Sequence, residues 1–331
     1  MRQGLGALVS LILVGYLLIM MGAAPIGLGP LMMLTAFFLG IQLPAVFLSS
    51  KIGSRDSLVV SMAIAAMGAY LRSINPYLSA AVTGAAMGIY FTSMVSVVGL
   101  ALGIMGRTRH VITSYVLLLS GGLFIASLSL GLKNAYDYAV AGGLLAAGLL
   151  LSLSPNILKV HSIHLRQAIH NKDLLLLSMA MAVSWSYLMQ LMPRLHGINA
   201  ILMLPMIPAA VLTRYLIRLA GVRRIIAISL IGLSVSGVFA EVNMGTAALM
   251  GVFAVMAYMS VLVMLSTLVS PILFTTSLAY IYELSIVISI IIEYALSSFV
   301  GTIVAAIICF AAAAITLKIR EPAKIFEEKI I

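Results

Sequence analysis

Glu283 is the first charged residue after an unbroken uncharged run, residues 242–282. It falls about ten residues into a helix expected over 273–294, hence about 15 Å from that helix's start at 1.5 Å per residue. A charged carboxylate at mid-bilayer costs on the order of 2.5–3.5 kcal/mol even on permissive insertion scales. A carboxyl held there can carry a proton by exchanging its charged and neutral forms, which makes Glu283 the proton-coupling candidate. The plainer alternative is a structural carboxyl bonded to a neighbour such as Tyr280. Glu293 lies about 15 Å further along and is turned about 80°, so it reads as a carboxylate at the outer interface. Glu241 ends another helix at the same side and takes no role.

Other constellations are less complete. His161 and His164 are three apart, with His170 beyond them, but no further ligand pair completes a tetrahedral metal set. A solvated helix face accounts for them, and no metal site is expected. The 21 methionines are spread through apolar stretches and read as packing residues. There is no HExxH, no aspartate cluster for metal and phosphate, and no phosphate-binding glycine loop with lysine. No enzyme activity and no cofactor are expected. Without a nucleotide motif, energy would have to come from an ion gradient.

The elements that position these residues follow from composition. The chain is 63% hydrophobic and 8% charged, whereas about a quarter of residues in soluble domains are charged. Residues 3–50, 73–106, 110–132 and 242–282 carry no Asp, Glu, Lys or Arg, and about 20 apolar residues suffice to span a membrane. Twelve helices are expected, at 5–25, 31–50, 57–75, 77–100, 111–132, 137–155, 174–193, 198–217, 224–241, 245–267, 273–294 and 298–317. Pro25 to Pro30, Asn75-Pro76, and Asn134 with Asp137 mark joins between them. Ser270-Pro271 is the one cue between the tenth and eleventh.

Charge then sets the orientation. Of 19 Lys and Arg, all but Arg72, Lys133 and Arg194 (19 − 3 = 16) fall on one side of this threading. Basic residues near helix ends resist translocation, so that side is cytoplasmic and both termini lie there. The +10 charge sits singly in short loops, which suits inner-leaflet headgroups rather than nucleic acid. The first 26 residues resemble a signal peptide in Arg2, an apolar stretch and Gly22-Ala23-Ala24. Removing them would break the charge alternation, so they are read as a retained first helix. Cys309, the single cysteine, rules out a disulfide framework. The expectation is a multi-pass protein of the cell membrane, acting as a monomer.

Residues 156–173 form the longest charged connection and suit a cytoplasmic amphipathic linker. It divides the chain into halves, 1–155 and 174–331, and an internal echo supports the division. Lys51, Gly53 and Arg55 recur as Arg218, Gly221, Arg223 and Arg224, with the two glycines 168 residues apart (221 − 53). Parallel six-helix repeats are one way transporters are built.

At these residues the chain resembles the major facilitator superfamily, whose loop after helix 2 reads Gly-x-x-x-Asp-Arg-x-Gly-Arg-Arg/Lys. Aligned on Gly53, Lys51 and Arg55 take basic places, while Val46, Ser50 and Ser54 replace the first glycine, the aspartate and the middle arginine. In the second half, Gly221, Arg223 and Arg224 match and Arg218 stands where an acid would be. A narrower likeness, to the cyanate and nitroimidazole permease branch, rests on Gly29-Pro30-Leu31, Gly68 with Leu71-Arg72, Thr83 to Ile89, and Tyr187, Pro193 and Gly197. Ala24 stands where that branch has an arginine before proline.

The resemblance implies a twelve-helix secondary transporter of two six-helix pseudo-repeats, with helices 1, 4, 7 and 10 lining a central cavity. Substrate-binding candidates on those helices are Tyr90, Ser93, Trp185, Tyr187, Gln190 and Tyr258; Lys51 to Arg55 and Arg218 to Arg224 form the cytoplasmic gate motif. Trp185, the sole tryptophan, falls away from the interfacial belt where tryptophans collect. Gln42 is expected to bond another helix. No Lys or Arg lies deep in the cavity helices, so a small neutral or weakly polar solute fits better than an organophosphate. Arg72 and Arg194 are candidates for the outer entrance, with ordinary loop charges as their alternative. A transporter-shaped sensor or scaffold without transport stays open as the second reading.

Overall fold

The fold is that of a computed structural model, which describes residues 2–22, 28–105, 110–117, 120–121, 135–153, 172–191, 204–239, 243–295 and 299–319. Among these residues every regular element is an α-helix. Contacts between Cα atoms divide the chain into two compact units: Met1–Leu100 with Gly121–Ile163, and Ala101–Ser120 with His164–Ile331.

The first unit contains α1 (Arg2–Gly22), α2 (Leu28–Gly40), α3 (Gln42–Ile52), α4 (Ser54–Leu71), α5 (Pro76–Met105, in this unit through Leu100) and α6 (Ala135–Ser152). Helices α1, α4 and α6 pack on one another. The start of α5 shows why the sequence turns where it does. Pro76 opens the helix, where its missing N–H is not needed. Asn75 accepts hydrogen bonds from the Tyr77 and Leu78 amides at 3.0 and 3.1 Å, satisfying donors that an uncapped helix leaves bare.

One expectation is corrected here. The single helix expected over 31–50 is broken at Ile41 into α2 and α3, whose axes differ by 47°. Pro44 has no N–H to give the Gly40 carbonyl, four residues back, and its ring crowds that turn. The bend faces α5, where Gly84 lies against the Leu34 backbone and Gly88 against Phe38 and Ile41. A small residue every fourth position lets two helix backbones approach closely. Gln42, at the bend, donates to the Phe38 carbonyl at 2.9 Å and accepts from the Thr92 hydroxyl at 2.8 Å. That is the interhelical use expected of it.

The second unit contains the helical segment 110–117, α7 (Lys172–Leu191), α8 (Met206–Ala220), α9 (Val222–Val238), α10 (Met244–Leu268), α11 (Pro271–Ala295) and α12 (Phe299–Thr316). Helix α9 packs against α10 and α12, and α7 packs against α11 and α12. Side-chain hydroxyls tie neighbours together: Ser234 donates to the Ala306 carbonyl at 3.1 Å, and Ser285 reaches the Ser178 carbonyl at 3.2 Å. The join between α10 and α11 falls at Val269 and Ser270, with Pro271 again in the first helical turn.

Pro76–Val98 and Met244–Leu268 are each long and apolar enough to cross a membrane, as is the bent pair Met33–Gly40 with Gln42–Ile52 taken together. The surface agrees with that. Met67, Ile74, Leu149, Leu153 and Ile307 are all exposed, which water would penalise and lipid would not. Many buried serines and threonines instead return their hydroxyls to carbonyls three or four residues back, as Ser61, Thr213 and Ser229 do. The chain is a helical membrane protein.

Candidate functional site

Glu283 is the central residue of α11, with twelve residues on either side (283 − 271 and 295 − 283). Its side chain is half-buried. Helix α11 also carries a polar stretch: Thr275, Thr276, Ser277, Tyr280, Tyr282, Glu283 and Ser285 fall within eleven residues. Thr276 and Ser277 are buried hydroxyls without a hydrogen-bond partner, as is Ser260 on the neighbouring α10. Buried polar groups usually find partners, so this cluster departs from plain packing.

Tyr258 stands within that cluster. Its hydroxyl shares a hydrogen bond of 2.5 Å with the Tyr282 hydroxyl, joining α10 to α11. Two tyrosines from two helices therefore meet, with Tyr258 half-buried and Tyr282 buried. Phenolic hydroxyls both donate and accept, so this group suits an uncharged polar partner. Tyr282, Thr276 and Ser277 did not stand out in the sequence reading, although the polar density of 275–285 in so apolar a chain was there to be seen.

The first-half candidates behave differently. Tyr90 is fully buried and its hydroxyl donates to the Ile12 carbonyl, pinning α5 to α1. Next to it, Phe91 meets Tyr16 and Phe38 edge-on at 5.5 and 5.2 Å. Ser93 is buried without a hydrogen-bond partner. Trp185, Tyr187 and Gln190 lie on α7, but their side chains are outside the described ones. Arg194 and the histidines of the 156–173 linker lie outside the described residues.

The two segments expected to form a gate motif share a backbone device. Gly53 (φ 94°, ψ 156°) joins α3 to α4, and Gly221 (φ 83°, ψ 154°) joins α8 to α9. Each glycine amide donates to the carbonyl four residues back, Ser49 at 2.9 Å and Ile217 at 3.0 Å. Each glycine carbonyl accepts from the amide four residues on, Ser57 at 3.0 Å and Ile225 at 3.3 Å. One helix thus closes and the next opens on a single residue. That region of backbone space is open almost to glycine alone, and among the described residues only these two glycines have positive φ.

The charges around the two joints are not alike. At the first, Lys51 is exposed and Arg55 is paired with Asp56 at 2.7 Å. At the second, Arg218 and Arg224 are exposed and Arg223 donates to the Ile319 carbonyl at 3.5 Å. Among the described residues no ion pair involves Arg218, Arg223 or Arg224.

Arg72, the outer-entrance candidate, is 8% exposed and its guanidinium donates to the Asp137 carboxylate at 3.2 Å. The pair ties the end of α4 to the start of α6. Beside it, Tyr70 and Tyr138 meet edge-on at 5.8 Å. Asp137, read from the sequence as a turn residue, is the partner that reading missed.

Among the described residues no three His, Cys, Asp or Glu side chains are grouped to hold a metal ion. Compared with known proteins, the chain matches no protein-family model and no curated protein.

Proposed function

We propose that the chain is a secondary transporter of the major facilitator type, with twelve spanning helices in two six-helix repeats and both termini in the cytoplasm. It moves a small neutral or weakly polar solute by alternating access, one repeat rocking against the other. The observation that carries this reading is the pair of glycine joints. Two helix-to-helix turns 168 residues apart share one rare backbone conformation and the same hydrogen bonds, as a duplicated half would leave them.

Glu283, at the centre of α11, supplies the coupling. Its charged carboxylate takes up a proton and becomes neutral, the neutral acid releases it again, and the cycle links solute movement to a proton gradient. The hydroxyls of Tyr258 and Tyr282 support an uncharged solute, since they offer hydrogen bonds without a compensating charge.

A melting-temperature screen of the purified chain against neutral solutes tests the proposal, followed by flux of any stabilising solute in vesicles. Saturable stabilisation with flux supports transport. Saturable binding without flux would replace it with the sensor reading.

A further inference from the structure

Helix α8 turns one face outward. Val211, Leu212, Tyr215 and Leu219 are exposed along it, Leu219 by 83%, and their spacing of three to four residues keeps them on one stripe. An outward stripe of large apolar side chains belongs against lipid tails. Arg218 lies on the same stripe, in the last turn of the helix, and is exposed. A long basic side chain ending an apolar stripe lays its stem along the tails and reaches its charge to the headgroup level.

Further cations meet it there. Arg214, one turn back, sits over the Tyr215 ring at 5.7 Å and donates to the ring nitrogen Nε2 of His110 at 2.9 Å, a partner with no negative charge. Arg224 opens α9 and is exposed. Arg223 reaches the Ile319 carbonyl, which brings exposed Lys318 to the same end of this unit. The described residues offer these cations no carboxylate partner.

The first joint shows what a balanced version looks like. A shift of 168 residues places Asp56, paired with Arg55, where the second joint has Arg224, and it places Val46 where the second has Arg214. Lys51, Arg55 and Asp56 sum to +1, whereas Arg214, Arg218, Arg223 and Arg224 sum to +4. We infer that the end of the unit formed by α8, α9 and the close of α12 holds the phosphate headgroup of an anionic phospholipid, with Arg218 and Arg224 as its principal contacts. Guanidinium groups match phosphate oxygens two at a time, and the exposed stripe of α8 takes the acyl chains. This inference does not depend on transport.

Native mass spectrometry of the full chain, released from micelles containing equal phosphatidylglycerol and phosphatidylcholine, tests it. The wild type is expected to retain phosphatidylglycerol selectively. Each surface cation contributes roughly a factor of five in anionic-lipid affinity, so Arg218→Gln with Arg224→Gln should weaken retention about 25-fold. Arg224→Asp, which restores the acid of the first joint, should lower it as well, and it serves where the double variant does not purify. Lys51→Gln should leave it unchanged.

Adding inorganic phosphate should not displace the lipid. Equal retention of both lipids, loss in Lys51→Gln matching that in the arginine variants, or displacement by phosphate alone would each overturn the assignment.

Discussion

The Arg72–Asp137 pair gives the most quantitative test of the first unit. Both side chains are less than a tenth exposed, at 6% and 8%, so solvent screens the pair little. A single contact at 3.2 Å joins them. Removing one member of such a pair leaves a buried charge uncompensated and costs about 3–5 kcal/mol, while replacing both by apolar residues is often neutral. Arg72→Met and Asp137→Leu should therefore each destabilise by about 3–5 kcal/mol, and the double variant should return to within about 1 kcal/mol of wild type. Reversible unfolding in mixed micelles, run as a double-mutant cycle, reads these differences directly. Either single variant within 1 kcal/mol of wild type, or a double variant as unstable as the worse single one, would refute the buried-pair argument.

Other outcomes follow from the same geometry. Gly53→Ala and Gly221→Ala each force a side chain into glycine-only backbone space and should cost about 1–3 kcal/mol, measured by the same unfolding assay. Gly84→Ala would push a methyl into the Leu34 carbonyl oxygen and should also destabilise. Gly142→Ala, where nothing lies within 4 Å, should instead stabilise by about 0.5–1 kcal/mol. With Cys309 replaced by Ala, Lys51→Cys and Arg218→Cys should react with an impermeant maleimide from the same side of the membrane, and Ser73→Cys from the other. Opposite sides for the first two would break the repeat.

Much of the helical layout was legible because long apolar runs and capping residues act locally. Asn75-Pro76 and Ser270-Pro271 marked the starts of α5 and α11, and Glu283 was placed near a helix centre by counting alone. The break at Ile41 was also written locally, in Pro44, but the apolar run on both sides concealed it. Long-range partnerships left no such trace. Arg72 and Asp137 are 65 residues apart, and no period or motif links them. Tyr90 and Tyr258 were both substrate-binding candidates by their place on cavity helices, yet one hydroxyl pins a backbone carbonyl and the other meets a second tyrosine. Which neighbour a hydroxyl meets depends on helix packing that sequence spacing does not encode. The glycine joints were found as a charge motif. Their shared positive φ, a property of the backbone, became visible only in the fold.

Flux of the stabilising solute into vesicles, with and without an imposed pH gradient, tests the central claim most directly when wild type and Glu283→Gln are compared. The account predicts that an inward proton gradient accelerates uptake by the wild type, and that Glu283→Gln still binds the solute but loses the response to the gradient. Wild-type uptake indifferent to the gradient, or an unchanged response in Glu283→Gln, would contradict it.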